Sequence, residues 1–218
     1  MKESSGLNIL FRNLLDKSRR ELYNRFIKYM NPQPQDIILD IGGAMQSGIP
    51  CFEKICSFKE TICINIDIKE LSGLKDIDRV SLILADGCHL PFKNKAIDIV
   101  LSNAVIEHVG NFDNQELFAS ELMRVAKKWF VSTPNFWFPF EPHWKLPFVH
   151  FLPKKIQRII VESQKKSYSK SASDSPRIHL LSVRSLKKLF PVSKITKQRI
   201  SFYPEVLIVH SDINHNSK

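Results

Sequence analysis

At 218 residues, with 43% hydrophobic and 25% charged positions, the chain has enough material for one α/β domain with its own core, and its balance is that of an ordinary globular protein. No apolar run approaches the roughly 18–20 residues that span a bilayer. Charges break up the opening MKESSGLNILFRNLLDKSRR, so no secretory leader is expected and the cytoplasm, or the inner face of the membrane, is the expected location. The net charge is +10, and residues 154–199 hold 13 Lys/Arg against two acids, Glu162 and Asp174. The rest of the chain is therefore close to neutral. A basic segment of this kind attracts phosphates, anionic lipid heads or acidic glycans, or is a solvated helix face.

Residues 7–30 carry apolar side chains at helical spacing (Leu7, Leu10, Phe11, Leu14, Leu15, Leu22, Phe26, Ile27, Met30), and Asn31-Pro32-Gln33-Pro34 stops the helix. DIILDIGG follows, an apolar run that ends in glycines, as a buried parallel strand would. Four further runs predict strands at 60–67, 80–86, 96–103 and 127–134, with a helix over 114–126. Two late strands are expected at 192–201 and 205–210, preceded by a short helix, SVRSLKKLF. The alternation argues for a mostly parallel sheet with helices on both faces, forming a single domain over 1–218. Residues 134–178 interrupt it. Phe136, Trp137, Phe138, Phe140, Trp144, Phe148 and Phe151 are crowded together there, with prolines that forbid one regular helix until about Lys154. We read this block as an insertion that caps the sheet after the fifth strand. It either covers a small apolar core, stacks on a ring-shaped acceptor, or dips into a membrane interface. Cys51, Cys56, Cys63 and Cys88 show no paired CxxC spacing, so no metal site is expected, and Cys63 and Cys88 read as small buried hydrophobes.

Four constellations lie at predicted strand ends. Asp40-Ile41-Gly42-Gly43 is a glycine turn that lets a ligand approach the backbone, with Gly48 further along. Asp67 ends the second strand. An ionised carboxylate there can accept both hydroxyls of a ribose, or it can simply cap the next helix. Asp86-Gly87-Cys88-His89-Leu90-Pro91-Phe92 follows the third strand, and its acid can receive an amino hydrogen of adenine. Ser102-Asn103-Ala104-Val105-Ile106-Glu107-His108-Val109 follows the fourth, at the carboxyl edge where open α/β sheets bind ligands.

In this order, and with ILDIGG, INID, LADGCHLPFKNKAIDIVLSNAVIEHV and ELMRVAKK over roughly residues 35–134, the sequence resembles the class I methyltransferases that use S-adenosylmethionine (SAM), specifically their type 11 domain. The resemblance implies a Rossmann-like α/β fold, a seven-stranded sheet with an antiparallel last hairpin. It implies SAM as cofactor, held by Asp40, Gly42 and Gly43 in the first loop, Asp67 at the ribose, Asp86 and Gly87 at the adenine edge, and Asn103 and His108 near the methionine part. The glycine loop departs from the family pattern: the second glycine is adjacent and the third displaced to Gly48, which leaves the contacts of Ala44, Met45 and Gln46 open.

Methyl transfer from a sulfonium needs chiefly an aligned acceptor, and a hydroxyl acceptor also needs a base. His143, within Glu141-Pro142-His143-Trp144 of the cap, is the expected catalytic base, with His108, His150 and Glu141 as other candidates. The expected activity is methylation, preferentially on oxygen, of a small-molecule, glycan or lipid-linked acceptor that carries negative charge. Peripheral membrane contact is a further expectation. The alternatives are an RNA methyltransferase, against which no separate RNA-binding module is visible, and a non-catalytic module with a degenerate SAM site.

Overall fold

The computed structural model describes residues 6–43, 58–75, 77–141, 146–165, 178–199 and 204–212. Helix α1 (Gly6–Met30) ends where Asn31 turns left-handed (φ 43°) and donates its N–H to the Ile27 carbonyl. Strand β1 (Ile37–Ile41) follows, then β2 (Glu60–Asn65), the short helix α2 (Ile68–Ser72), β3 (Val80–Leu84) and β4 (Ile97–Asn103). Helix α3 (Phe112–Val125), capped by the Asn111 side chain, runs directly into β5 (Ala126–Pro134). After an insertion come α5 (Val183–Leu189; α4 lies in the insertion, below), β8 (Lys194–Arg199) and β9 (Pro204–His210).

The seven strands pair in the order β3-β2-β1-β4-β5-β9-β8. The first five are mutually parallel, β9 runs antiparallel to β5, and β8 runs antiparallel to β9. Strand residues alternate between two cores, as the period-two pleat requires. Ile38, Ile99, Leu101, Phe130 and Ile208 face α1, where Phe26 meets Phe130 edge-on at 5.6 Å. Leu39, Val100, Val131, Leu207 and Val209 face α3 and α5, against Phe118, Leu122 and Leu186.

Two strands are shorter than their apolar runs suggest, and in each case an acid turns the chain out of the sheet. β2 stops at Asn65, whose side-chain oxygen accepts the Asp67 N–H (3.0 Å), while Asp67 caps α2 through Lys69 N–H (2.8 Å). β3 stops at Leu84, because Asp86 accepts the Cys88 N–H (2.9 Å) and closes a turn.

The insertion leaves the sheet at Asn135 and returns at Leu181. These two residues form an isolated bridge, and Phe136 N–H donates to the Leu181 carbonyl (3.0 Å). It contains a two-stranded hairpin, β6 (Phe140–Glu141) and β7 (Leu146–Pro147), and helix α4 (Lys154–Lys165). The reading of its aromatics as a small buried core is corrected. Val149 is buried, but Trp137, Phe148 and Phe151 are exposed, and Phe136, Phe138 and Phe140 are only half-buried.

At the far end of β9, buried His210 stacks on Tyr29 of α1, ring centroids 4.2 Å apart. Its Nδ1–H donates to the Ser211 carbonyl (3.0 Å), and among the described residues its Nε2 has no partner. Burial lowers the His210 pKa below the ordinary histidine value, against the opposing pull of the Ser211 carbonyl. The neutral ring therefore stabilises the fold above the unfolded pKa of about 6.5, and that contribution is lost as pH falls through the depressed folded value. Melting temperature should accordingly fall between pH 7 and pH 5, and His210→Phe should flatten that slope. Identical slopes in thermal melts of the two proteins would contradict this role.

Candidate functional site

All five parallel strands end on one edge of the sheet. β1 lies between β2 and β4, the position in the strand order at which open α/β sheets bind ligands. The β1 tip carries Gly42 (φ +78°), whose N–H donates to the Ile64 carbonyl of β2 (2.8 Å). Only glycine fits: a Cβ at Gly42 would collide with Val105 of the β4 loop, and one at Gly43 would stand 2.9 Å from an Asp40 carboxylate oxygen. Asp40 itself is buried beneath this turn, 1% exposed, so it supports the turn from below and is not open at its surface. Asn65 Nδ2 donates to the Gly43 carbonyl (3.3 Å), tying the β1 and β2 tips together.

Asp67 is exposed at the β2 tip. One of its oxygens caps α2, and among the described residues nothing else hydrogen-bonds its carboxylate. Both features matter: the helix-cap reading holds as structure, and an acceptor oxygen still faces solvent. Around it stand three large apolar residues, Ile66 (76% exposed), Ile68 (59%) and Leu84 (59%), of which the sequence pattern had absorbed Ile66 and Leu84 into strands. Leu84 is paired with Asn65, so it lies one residue from Ile66 on the adjacent strand. Exposed branched side chains beside a carboxylate suit a flat base joined to a hydroxylated ring.

The β3 tip places Asp86 beside this patch, linked by the Ala85 N–H to the Asn65 carbonyl (3.1 Å). Gly87 is buried, and a Cβ there would lie 2.6 Å from the Phe118 ring, so helix packing alone requires glycine. Burial, reinforced by Asp86, pushes the Cys88 thiol up to about 11, so it stays protonated and is no nucleophile at neutral pH. The loop after Cys88 is clamped by α3. Glu121 accepts the Leu90 N–H (2.8 Å), and Arg124 donates to the Leu90 and Phe92 carbonyls (3.1 and 2.8 Å). Arg124 and Glu121 also pair directly (2.6 Å), and that guanidinium holds the Glu121 carboxyl below the usual carboxylate range.

At the β4 tip Asn103 accepts the Ser132 hydroxyl (2.7 Å), and Ala104 adopts a left-handed backbone (φ 55°), uncommon for a residue with a side chain. His108 is exposed at the end of the short turn Ile106–His108. Glu107 in the same turn is fully buried and accepts the Thr133 hydroxyl of β5 (2.9 Å). Its backbone carbonyl accepts the His179 N–H (2.8 Å), and Gln115 of α3 donates to the carbonyls of Ile106 (3.1 Å) and His179 (2.9 Å). This network fixes the wall of a cavity of about 300 Å³ between α3, the insertion and residues 178–181, lined by Gln115, Phe136, His150, Gln157, His179 and Ser185 among others. His150 Nε2–H donates to the Phe136 carbonyl (3.0 Å). Burial, then the nearby Lys154, lowers the His179 pKa, so this ring is neutral at pH 7.

The structure thus brings Gly42, Gly43, Asp67, Asp86, Gly87 and Asn103 to one edge, with Asp40 below it and His108 at its surface. His143, Gly48 and Ala44–Gln46 lie outside the described residues. His179, Gln115 and the Glu121–Arg124 clamp were not singled out from the sequence, because their partners are distant in the chain. A short list of exposed apolar residues at strand ends would have found Ile66 and Leu84. Among the described residues no group of side chains could hold a metal ion.

Residues 39–129 match the family model described as a methyltransferase domain. A stretch of 96 residues is 35% identical to norajmaline N-methyltransferase from Rauvolfia serpentina, covering 42% of this chain and 31% of that protein. The match thus spans about a third of the length of that relative. Among solved structures, geranyl diphosphate C-methyltransferase from Streptomyces coelicolor superposes with a TM-score of 0.60 at 12% identity, covering 97% of this chain and 85% of that one. Magnesium protoporphyrin IX methyltransferase from Synechocystis, with bound S-adenosylhomocysteine, gives 0.59 at 10% identity, covering 97% and 90%. With this match, residues 39–129 are similar to a methyltransferase domain, and the order of the strands is that of the Rossmann-like fold of these solved structures.

Proposed function

We propose that this protein binds SAM along the tips of β3, β2, β1 and β4 and methylates a small-molecule, glycan or lipid-linked acceptor, on oxygen in preference to nitrogen or carbon. One observation carries the reading: two carboxylates, Asp86 and Asp67, and a glycine turn stand in strand order on one edge, flanked by exposed Ile66, Ile68 and Leu84. These residues fit the cofactor. Asp67 accepts the ribose hydroxyls, Asp86 and the Gly87 backbone meet the adenine edge, and the apolar trio covers the base. The Gly42–Gly43 backbone and Asn103 border the amino-acid part, and His108 stands at the mouth.

SAM supplies a methyl carbon already activated on a sulfonium. The chain's own work is therefore to place the acceptor atom in line with that carbon and to receive its proton. The cavity beside the β4 loop is the proposed acceptor seat, since His179 and Gln115 in its wall are bonded to the turn that follows Asn103. His143 of the insertion is the proposed base, and His179, neutral at pH 7, is the alternative already in the cavity wall. That the named relative and both named structures act on small molecules supports a small-molecule acceptor over RNA.

Asp67→Ala should weaken SAM binding by about 10- to 100-fold, the worth of hydrogen bonds to a charged acceptor. Asp67→Asn keeps a helix cap, so it should leave the melting temperature near normal while still weakening SAM in calorimetry. Wild-type affinity in both variants would reject the ribose role. His143→Ala should lower turnover about 10²- to 10⁴-fold with SAM affinity unchanged, read as S-adenosylhomocysteine release over a panel of phenolic, glycosyl and lipid-linked hydroxyl acceptors. If His179→Ala carries that loss and His143→Ala does not, the assignment of His143 is overturned.

A further inference from the structure

Among the described residues, six of the twelve exposed large hydrophobic side chains fall between residues 137 and 159: Trp137, Phe148, Phe151, Leu152, Ile156 and Ile159. Three of them cluster. Phe151 lies 6.0 Å from the Trp137 ring and 6.5 Å from the Phe148 ring, and Leu152 leads directly toward α4. In α4 the buried Gln157 donates to the carbonyls of His150 (3.1 Å) and Leu152 (2.7 Å), which fixes the rotation of the helix. At 100° per residue, Ile156 and Ile159 then share the outward side and cannot turn in, with Lys155 and Arg158 alongside them. Phe148 holds a left-handed backbone (φ 60°), a strained conformation for an aromatic residue, and is 60% exposed.

We propose that this face of the insertion docks the protein on an anionic lipid bilayer, its aromatic and isoleucine side chains entering the interface and Lys155 and Arg158 meeting the headgroups. Charge selects the occupant. Residues 135–165 contain five Lys/Arg against two acids, Glu141 and Glu162, so the segment that carries the apolar face is net basic. That pairing of an apolar face with Trp and a basic rim is how interfacial helices bind anionic lipid. No described helix is long and apolar enough to cross a membrane, so the contact is peripheral. Docking goes beyond the methyltransferase reading and bears on it: Phe136, His150 and Lys154 line the acceptor cavity from the same insertion, so the cavity would open near the lipid surface where a lipid-linked acceptor resides.

The test is co-sedimentation of the full chain with phosphatidylcholine vesicles, with and without phosphatidylglycerol. Binding is expected only when phosphatidylglycerol is present, and it should weaken as salt is raised. Ile156→Gln/Ile159→Gln should reduce the partition coefficient by about tenfold or more, and Lys155→Gln/Arg158→Gln by about tenfold. Both pairs should keep wild-type SAM affinity, which shows that they fold. No vesicle binding by the wild-type chain, or equal binding by the isoleucine variant, overturns the proposal. So does a dimer in sedimentation velocity that the isoleucine variant dissolves, since the occupant is then a second copy. A wild-type chain that binds vesicles but not SAM leaves docking standing and removes the methyltransferase reading instead.

Discussion

Parallel pairing of β1 with β2 on one side and β4 on the other is the constraint on which the rest of the molecule depends. Parallel strands need crossovers, and a right-handed crossover places its helix on one face according to the direction of travel along the sheet. The direction reverses at β1, the position in the strand order where such sheets bind ligands. The backbone at that spot is committed to glycine by its neighbours: Val105 crowds Gly42, and the Asp40 carboxylate and Cys63 crowd Gly43. The close approach a cofactor needs is thus a by-product of packing that the fold already imposes.

Around that edge the polar contacts are long-range and connect loops to rigid elements. Glu121 and Arg124 hold the loop after β3 to α3, and Glu107, Gln115 and Thr133 hold the turn after β4 to α3 and β5. Sites held this way keep their geometry because the supporting side chains sit on helices and strands. The same network reaches residues 178–181, where the insertion returns to the sheet, so the cavity proposed to seat the acceptor and the edge proposed to hold SAM are tied by one set of hydrogen bonds. The insertion itself is built differently. Among its described residues Val149 and Gln157 are buried, while Trp137, Phe148, Phe151, Leu152, Ile156 and Ile159 are exposed.

The strands were legible because a parallel sheet covered on both faces writes each strand as a short apolar run, as in DIILDI and AIDIVLSN. The edge residues Asp67, Asp86, Gly87 and Asn103 were legible because each closes such a run. What the pattern misjudged was local: Ile66 prolongs an apolar run, yet Asp67 has already turned the chain toward α2, so Ile66 is exposed at the tip. The sequence left the aromatic insertion open between a core, an acceptor platform and a membrane face for a related reason, since composition reports how much apolar surface exists and not which way it points. The clamp of Arg124 on Leu90 and the link from Gln115 to His179 join positions 34 and 64 residues apart, beyond the reach of any periodicity.

The account stands on a nucleoside lying across the tips of β3, β2, β1 and β4. A crystal structure with S-adenosylhomocysteine tests it most directly. The ribose hydroxyls should reach Asp67, the adenine should rest between Ile68 and Leu84 with its amino group at Asp86, and the sulfur should point toward Asn103 and the cavity wall at His179. A ligand bound elsewhere, or one at this edge making no contact with either carboxylate, would contradict it.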